Sequence, residues 1–108
     1  MAAKAKRRID FSKLAWRSKS PGAPEKRYTK NGKVIRLVRY TDQFTEVDWC
    51  DKGHIGMVLS GRMVISFGNE KVEYKAGDAL FITPGDRDKH KAEIAPGEEA
   101  TVLLFEET

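Results

Sequence analysis

The sequence holds a single cysteine, Cys50, and only two histidines, His54 and His90. One cysteine cannot form an intrachain disulfide, so the fold does not lean on an oxidising compartment, and the cytoplasm is the expected location. The lack of CxxC pairs argues against a structural zinc site. No apolar run approaches the roughly 18 residues that cross a bilayer, so no membrane association is expected. The basic start, MAAKAKRRIDF, has no apolar stretch behind it and does not read as a secretory signal. Also missing are a Gly-rich phosphate loop, a nucleophile elbow, an HExxH motif and any helix-period segment of useful length.

What is present fits one small globular domain. The chain has 108 residues, of which 33% are charged and 40% hydrophobic. Its net charge of +4 hides a division. Residues 1–40 carry 13 Lys/Arg against 2 Asp/Glu, whereas residues 41–108 carry 7 against 14. The basic leader, with Lys4, Lys6, Arg7, Arg8, Lys13, Arg17 and Lys19, either keeps a tail soluble or reaches for phosphates. Only Phe11 and Trp16 are interleaved aromatics and no nucleic-acid motif accompanies them, so nucleic acid is not the expected partner.

Residues 1–9 read as a tail, and Phe11, Leu14 and Trp16 as anchors of an arm that docks on the domain. The Pro/Gly/Ser-rich stretch 18–26 reads as an extended loop, which divides the chain into an arm (1–26) and a β domain (27–108). From there the hydrophobic period is two. Strands are predicted over 33–40, 44–49, 54–61, 62–68, 71–75, 79–83, 89–94 and 100–107, with turns at 50–53, 68–69, 76–78 and 96–99. Gly61 is expected to make a tight turn between two strands. Short strands at this spacing predict an all-β barrel or sandwich.

The run GHIGMVLSGRMVISFGNEKVEYKAGDALFITPGDRDKHKA (53–92) resembles the cupin superfamily. The match rests on MVLSGRM, the Gly68-Asn69 hairpin and YKAGDALFITPG. The leader and the Trp49-Cys50…Gly53-His54 run resemble a group of bacterial single-domain cupins without an assigned activity. The resemblance implies a single-domain jelly-roll β-barrel with an extended N-terminal arm. It also implies a usual metal site of three histidines and a glutamate. Aligned on Gly61 and Gly77, those four positions fall on Val47, Trp49, His54 and Asp88. The chain departs from the pattern at every one.

What remains is His54, Asp88 and His90. Strand parity puts Asp88 and His90 on one face, and the alignment puts His54 on a facing strand. Two imidazoles and a carboxylate can hold Zn, Fe, Mn or Ni, or they can hydrogen-bond to one another in a metal-free polar pocket. Cys50 offers a further thiolate ligand, or a nucleophile paired with His54. Trp49 reads as a core or pocket-wall aromatic, and Met57 as a further pocket residue. The carboxylates Glu106 and Glu107, near the chain end, read as solvated.

The expected function is a cupin that binds a small polar ligand at the barrel mouth, through Trp49, His54, Met57, Asp88 and His90. The alternative is a divalent-metal-dependent cupin enzyme of the dioxygenase, isomerase or decarboxylase kind. Strands 54–60 and 101–105 are apolar on both faces, so a second copy is expected to cover the outer face and make a homodimer, with Trp16 as a cross-interface anchor.

Overall fold

The alternation of apolar and polar side chains produces eight strands. The computed structural model describes residues 7–107. Lys4 and Lys6 of the basic leader, like Thr108, lie outside the described residues. The strands are β1 (Arg17–Ser18), β2 (Pro24–Lys30), β3 (Lys33–Thr41), β4 (His54–Phe67), β5 (Glu70–Lys75), β6 (Ala79–Ile82), β7 (Lys91–Glu93) and β8 (Glu99–Glu107). All pair antiparallel, in the order β1-β2-β3-β8-β4-β5, with β6 and β7 also pairing with β4. Among the described residues no helix is long and apolar enough to cross a membrane.

β4 organises the molecule. Its first half pairs with β6 and β8, and its second half with β5 and β7. A strand of 14 residues would run roughly 45 Å if straight. Instead the ring of His54 at its start and that of Phe67 at its end lie 5.1 and 5.9 Å from the ring of His90. The bend comes from an irregularity in the β4–β8 register between Val58 and Ser60, followed by Gly61 at φ 76°. The turn expected at Gly61 is therefore a bend inside one continuous strand. The bulge also reverses which parity faces inward, from Val58 to Met63 and Ile65.

Three other expectations are corrected. Residues 44–49 do not form a strand, making only single bridges at Thr45–Glu93 and, just beyond, Cys50–His90. Competing side-chain contacts explain this. The Phe44 ring packs on Tyr40 at 4.9 Å, and Glu46 accepts a bond from the Ala92 backbone N–H at 2.8 Å. The stretch 18–26 is not all loop, since β1 and the start of β2 pair within it. Cys50 lies in its bridge to His90 rather than in a turn.

β6, β4, β8, β3, β2 and β1 make the larger sheet and β7, β4 and β5 the smaller, and the core between them is apolar: Val38, Val58, Met63, Ile65, Leu80, Ile82, Val102 and Leu104. Each such side chain contributes about 1.5–3 kcal/mol by leaving water. One lysine ties down the residues before β1. Lys26 Nζ donates to the Phe11 carbonyl at 2.7 Å and lies 4.8 Å above the Trp16 ring.

The outer face of the larger sheet is also apolar. Phe81, Ile55, Phe105, Ile35 and Tyr28 stand side by side across five strands, and Met57, Leu103 and Leu37 form the next row. Phe81 is 75% exposed, and Ile55, Met57, Leu59 and Phe105 are about half exposed.

Candidate functional site

The inward positions of β2, β3, β8 and β4 carry a row of charged groups where aliphatics would otherwise stand. Arg36 of β3 is the centre. Its Nη1 donates to Glu25 of β2 at 2.8 Å and its Nε to Glu106 of β8 at 3.0 Å. Glu25 is buried and is also approached by Arg27 and Lys19 at 3.4 and 3.6 Å. Burial alone would raise the Glu25 carboxyl, but Arg36, Arg27 and Lys19 outweigh it and hold the group below its ordinary range.

Glu106 passes the row on to His54. His54 and Arg36 hold the Glu106 carboxyl at about 2, against the opposing effect of burial. The distance from His54 Nδ1 to Glu106 Oε1 is 3.7 Å, an ion-pair contact and too long for a hydrogen bond. The direct bonds from Arg36 are thus the firmer hold, and His54 Nδ1 is buried without a hydrogen-bond partner.

His54 and His90 meet edge to face at 5.1 Å between ring centres. His90 is buried and sits opposite Cys50. The two residues exchange both backbone bonds, Cys50 N–H to the His90 carbonyl at 2.8 Å and His90 N–H to the Cys50 carbonyl at 2.9 Å. His90 Nδ1 lies 3.0 Å from the Asp88 carbonyl oxygen. One ligand atom each from Cys50, His54 and His90 lie within 4.8 Å of one another.

The other expected site residues lie elsewhere. Asp88 does not share a strand face with His90, because β7 starts only at Lys91 and Asp88 closes a 3-10 turn over Asp86–Asp88. Its carboxylate accepts from the Thr83 hydroxyl and backbone N–H, which hold its pKa down. Trp49 stands under Lys91, whose Nζ is 5.0 Å from the ring centre, and lines a separate pocket with Phe44 and Glu46. Met57 points outward, into the apolar rows of the outer face. Val47 is 78% exposed.

An open cavity of about 1420 Å³ is lined by the inward His54, Arg36, Glu106, Val34 and Ile82, by Arg7, Lys19, Arg27, Lys30, Lys33, Lys52 and Glu107, and by Tyr28, Ile35, Ile55 and Phe105 where it passes over the edge onto the outer face. Arg36 and Glu106 were missed as site residues, and Glu106 is corrected from solvated to interior. Their signal was present: each occupies the apolar parity of its strand, after Val34 and after Leu104.

A curled antiparallel sheet with an inward polar mouth defines a β-barrel of the jelly-roll kind. Residues 51–105 match the family model of the cupin domain, and the chain belongs to that family. Solved structures share the fold. The polyketide cyclase RemF from Streptomyces resistomycificus is 18% identical, with 94% of this chain and 78% of that one covered and a TM-score of 0.77. KdgF from Halomonas sp. is 17% identical, with 96% of both chains covered and a TM-score of 0.75. A sugar phosphate isomerase from Silicibacter pomeroyi is 18% identical, with 92% and 74% covered and a TM-score of 0.73. No curated protein matches the sequence.

Cupins often bind a divalent metal. Of the family's four usual ligand positions, Val47 and Trp49 offer no donor lone pair, Asp88 accepts from Thr83 through Oδ2, and His54 stands with Cys50 and His90 as the group that could hold one.

Proposed function

We propose that this chain is a cupin that binds a small, anionic, polar metabolite at the barrel mouth. The observation that carries this reading is the open cavity lined by an unsatisfied His54 and by seven cations, Arg36 among them, against two carboxylates. Such a lining attracts a carboxylate or phosphate, and the inward wall offers directional polar contacts in a partly desolvated place. Two structural neighbours are named for work on small molecules, a polyketide and a sugar phosphate. The second belongs to the anionic class that this lining suits.

Thermal melting against a panel of sugar phosphates and small hydroxy acids tests the reading. A ligand at about 100 times its Kd stabilises the fold by about 2.7 kcal/mol. The expected result is a raised Tm for at least one panel member, reduced at high salt. His54→Ala weakens that effect strongly, while Trp49→Ala, at the separate pocket, leaves it alone. A panel without a single binder, or binding indifferent to His54→Ala, removes the proposal.

We also infer that a second copy covers the outer face. The rows from Phe81 to Ile35 are contiguous rather than scattered, and contiguous apolar patches on a soluble chain mark association. Sedimentation is expected to give twice the chain mass for the wild type and the single chain mass for Ile55→Asp. A monomeric wild type overturns this.

A further inference from the structure

We propose that the ligand of the mouth is an amphiphile, a single molecule with an anionic head beside Lys52 and His54 and an apolar tail that crosses the strand ends onto Ile35, Ile55 and Phe105. The inference deepens the anionic-ligand reading above and rests on it for the head; the tail is new.

The head is placed by elimination among the cations. Arg36 bonds to Glu25 and Glu106, Arg27 and Lys19 lie against Glu25, and Lys33 pairs with Glu107. Among the described residues no carboxylate pairs with Lys52, which stands two residues before His54 on the same cavity wall. Gly53, between them, lies so close to the end of β6 that an added Cβ would stand 2.7 Å from the Ile82 carbonyl oxygen. That main-chain contact fixes where Lys52 and His54 emerge, which lowers the ordering cost of binding.

Continuity places the tail. β3 begins at Lys33, β4 begins at His54, β6 ends at Ile82 and β8 ends at Glu107, so four strands stop at one edge. Adjacent residues of a strand face opposite ways. His54 and Glu106 therefore face in where Ile55 and Phe105 face out, and one cavity touches all four. Ile35 pairs with Phe105 and Phe105 with Ile55, so the outer wall is a row, and both Ile55 and Phe105 are about half exposed. A wholly polar ligand leaves that row in water. An apolar segment attached to it is held there by the hydrophobic effect. The tail takes the mouth end of the outer face and leaves Met57, Leu59 and Phe81 to the second copy inferred above.

Dissolved amphiphiles and membrane lipids share this chemistry. The head position lies within a cavity of about 1420 Å³ and not on a flat face, which suits a dispersed molecule and not a bilayer surface.

Calorimetric titration of the full chain with butyl, hexyl and octyl phosphate, each below its micelle-forming concentration, is the test. Affinity is expected to rise roughly two- to fourfold per methylene, the upper figure for full burial, so octyl phosphate binds roughly 16- to 250-fold more tightly than butyl phosphate. Lys52→Gln weakens all three by the same factor. Phe105→Ser flattens the rise with length and leaves glycerol phosphate, which has no tail, unaffected. If a variant fails to fold, the wild-type series decides alone. Equal affinity along the series, with glycerol phosphate also bound, removes the tail and keeps the anionic pocket. Octyl glucoside bound as tightly as octyl phosphate removes the anionic head, and with it both readings. A series without any binder also removes both. Capture of the chain by phosphatidylglycerol vesicles, without binding of dispersed octyl phosphate, overturns the proposal in favour of a membrane surface.

Discussion

Arg36→Met is expected to lower the unfolding free energy by about 3–5 kcal/mol, because it strands two interior carboxylates at once. Glu25 and Glu106 both bond to this one guanidinium. Lys19 and Arg27 sit farther from Glu25 and soften the loss there, while Glu106 keeps only the longer His54 contact. Methionine retains much of the arginine stem, so the loss comes from charge rather than volume. Urea titration measures it. The triple variant Arg36→Met, Glu25→Leu, Glu106→Leu is expected to regain most of the stability, since an apolar replacement of a whole ion cluster is often neutral. If the triple variant is as unstable as the single one, stranded charge is not the cause.

The same row sets the acid response. The Glu106 carboxyl titrates at about 2 in the fold against an ordinary 4.5, and Glu25 is shifted the same way. A depressed carboxylate contributes stability that is fully present above about 4.5 and is lost as pH falls toward 2. Wild-type stability should therefore decline across that window. The decline should flatten in Arg36→Met, whose carboxylates have lost the cation that held them ionised.

Gly61→Ala is expected to cost about 2–5 kcal/mol. At φ 76° an alanine gives up about 1–2 kcal/mol to sterics within its own backbone. Its Cβ would also stand 1.8 Å from the Glu99 carbonyl oxygen and 3.0 Å from Ala100 Cα. Those are main-chain atoms of β8, so relief requires the two strands to part, and forced overpacking adds about 1–3 kcal/mol. Gly77→Ala is the control. Its φ is 95° but nothing lies within 4 Å of an added Cβ, so only the conformational cost remains. Equal midpoints for the two variants in urea would show that the close approach to β8 does not matter.

The barrel was legible because short β-prone runs are cut by turn signals, Gly68-Asn69 after β4, Gly77 after β5 and Pro84-Gly85 after β6. Where the reading failed, a tertiary contact had overridden a local pattern. Phe44–Trp49 alternates like a strand, yet the inward turn of Phe44 onto Tyr40 and the reach of Glu46 to Ala92 leave no edge to pair. Gly61 reads as a turn from its sequence, and only the pairing of both halves of β4 with different partners shows it to be a bend. The two histidines and Cys50 could be named in advance, but Arg36 and Glu106 could not. Asp88 followed from extending a strand two residues too far. Arg36 and Glu106 were passed over because charged residues are read as exposed by default, although each sat in a position whose neighbours in parity are aliphatic.

His90 touches the ring that opens β4 and the ring that closes it. Aromatic rings shift the magnetic resonance of nuclei near them, so the carbon-bound protons of this one imidazole carry the imprint of two rings thirteen residues apart on the same strand. Loosening near His54 and loosening near Phe67 would displace those signals independently. A single side chain thus acts as a built-in gauge of whether each end of β4 is in place.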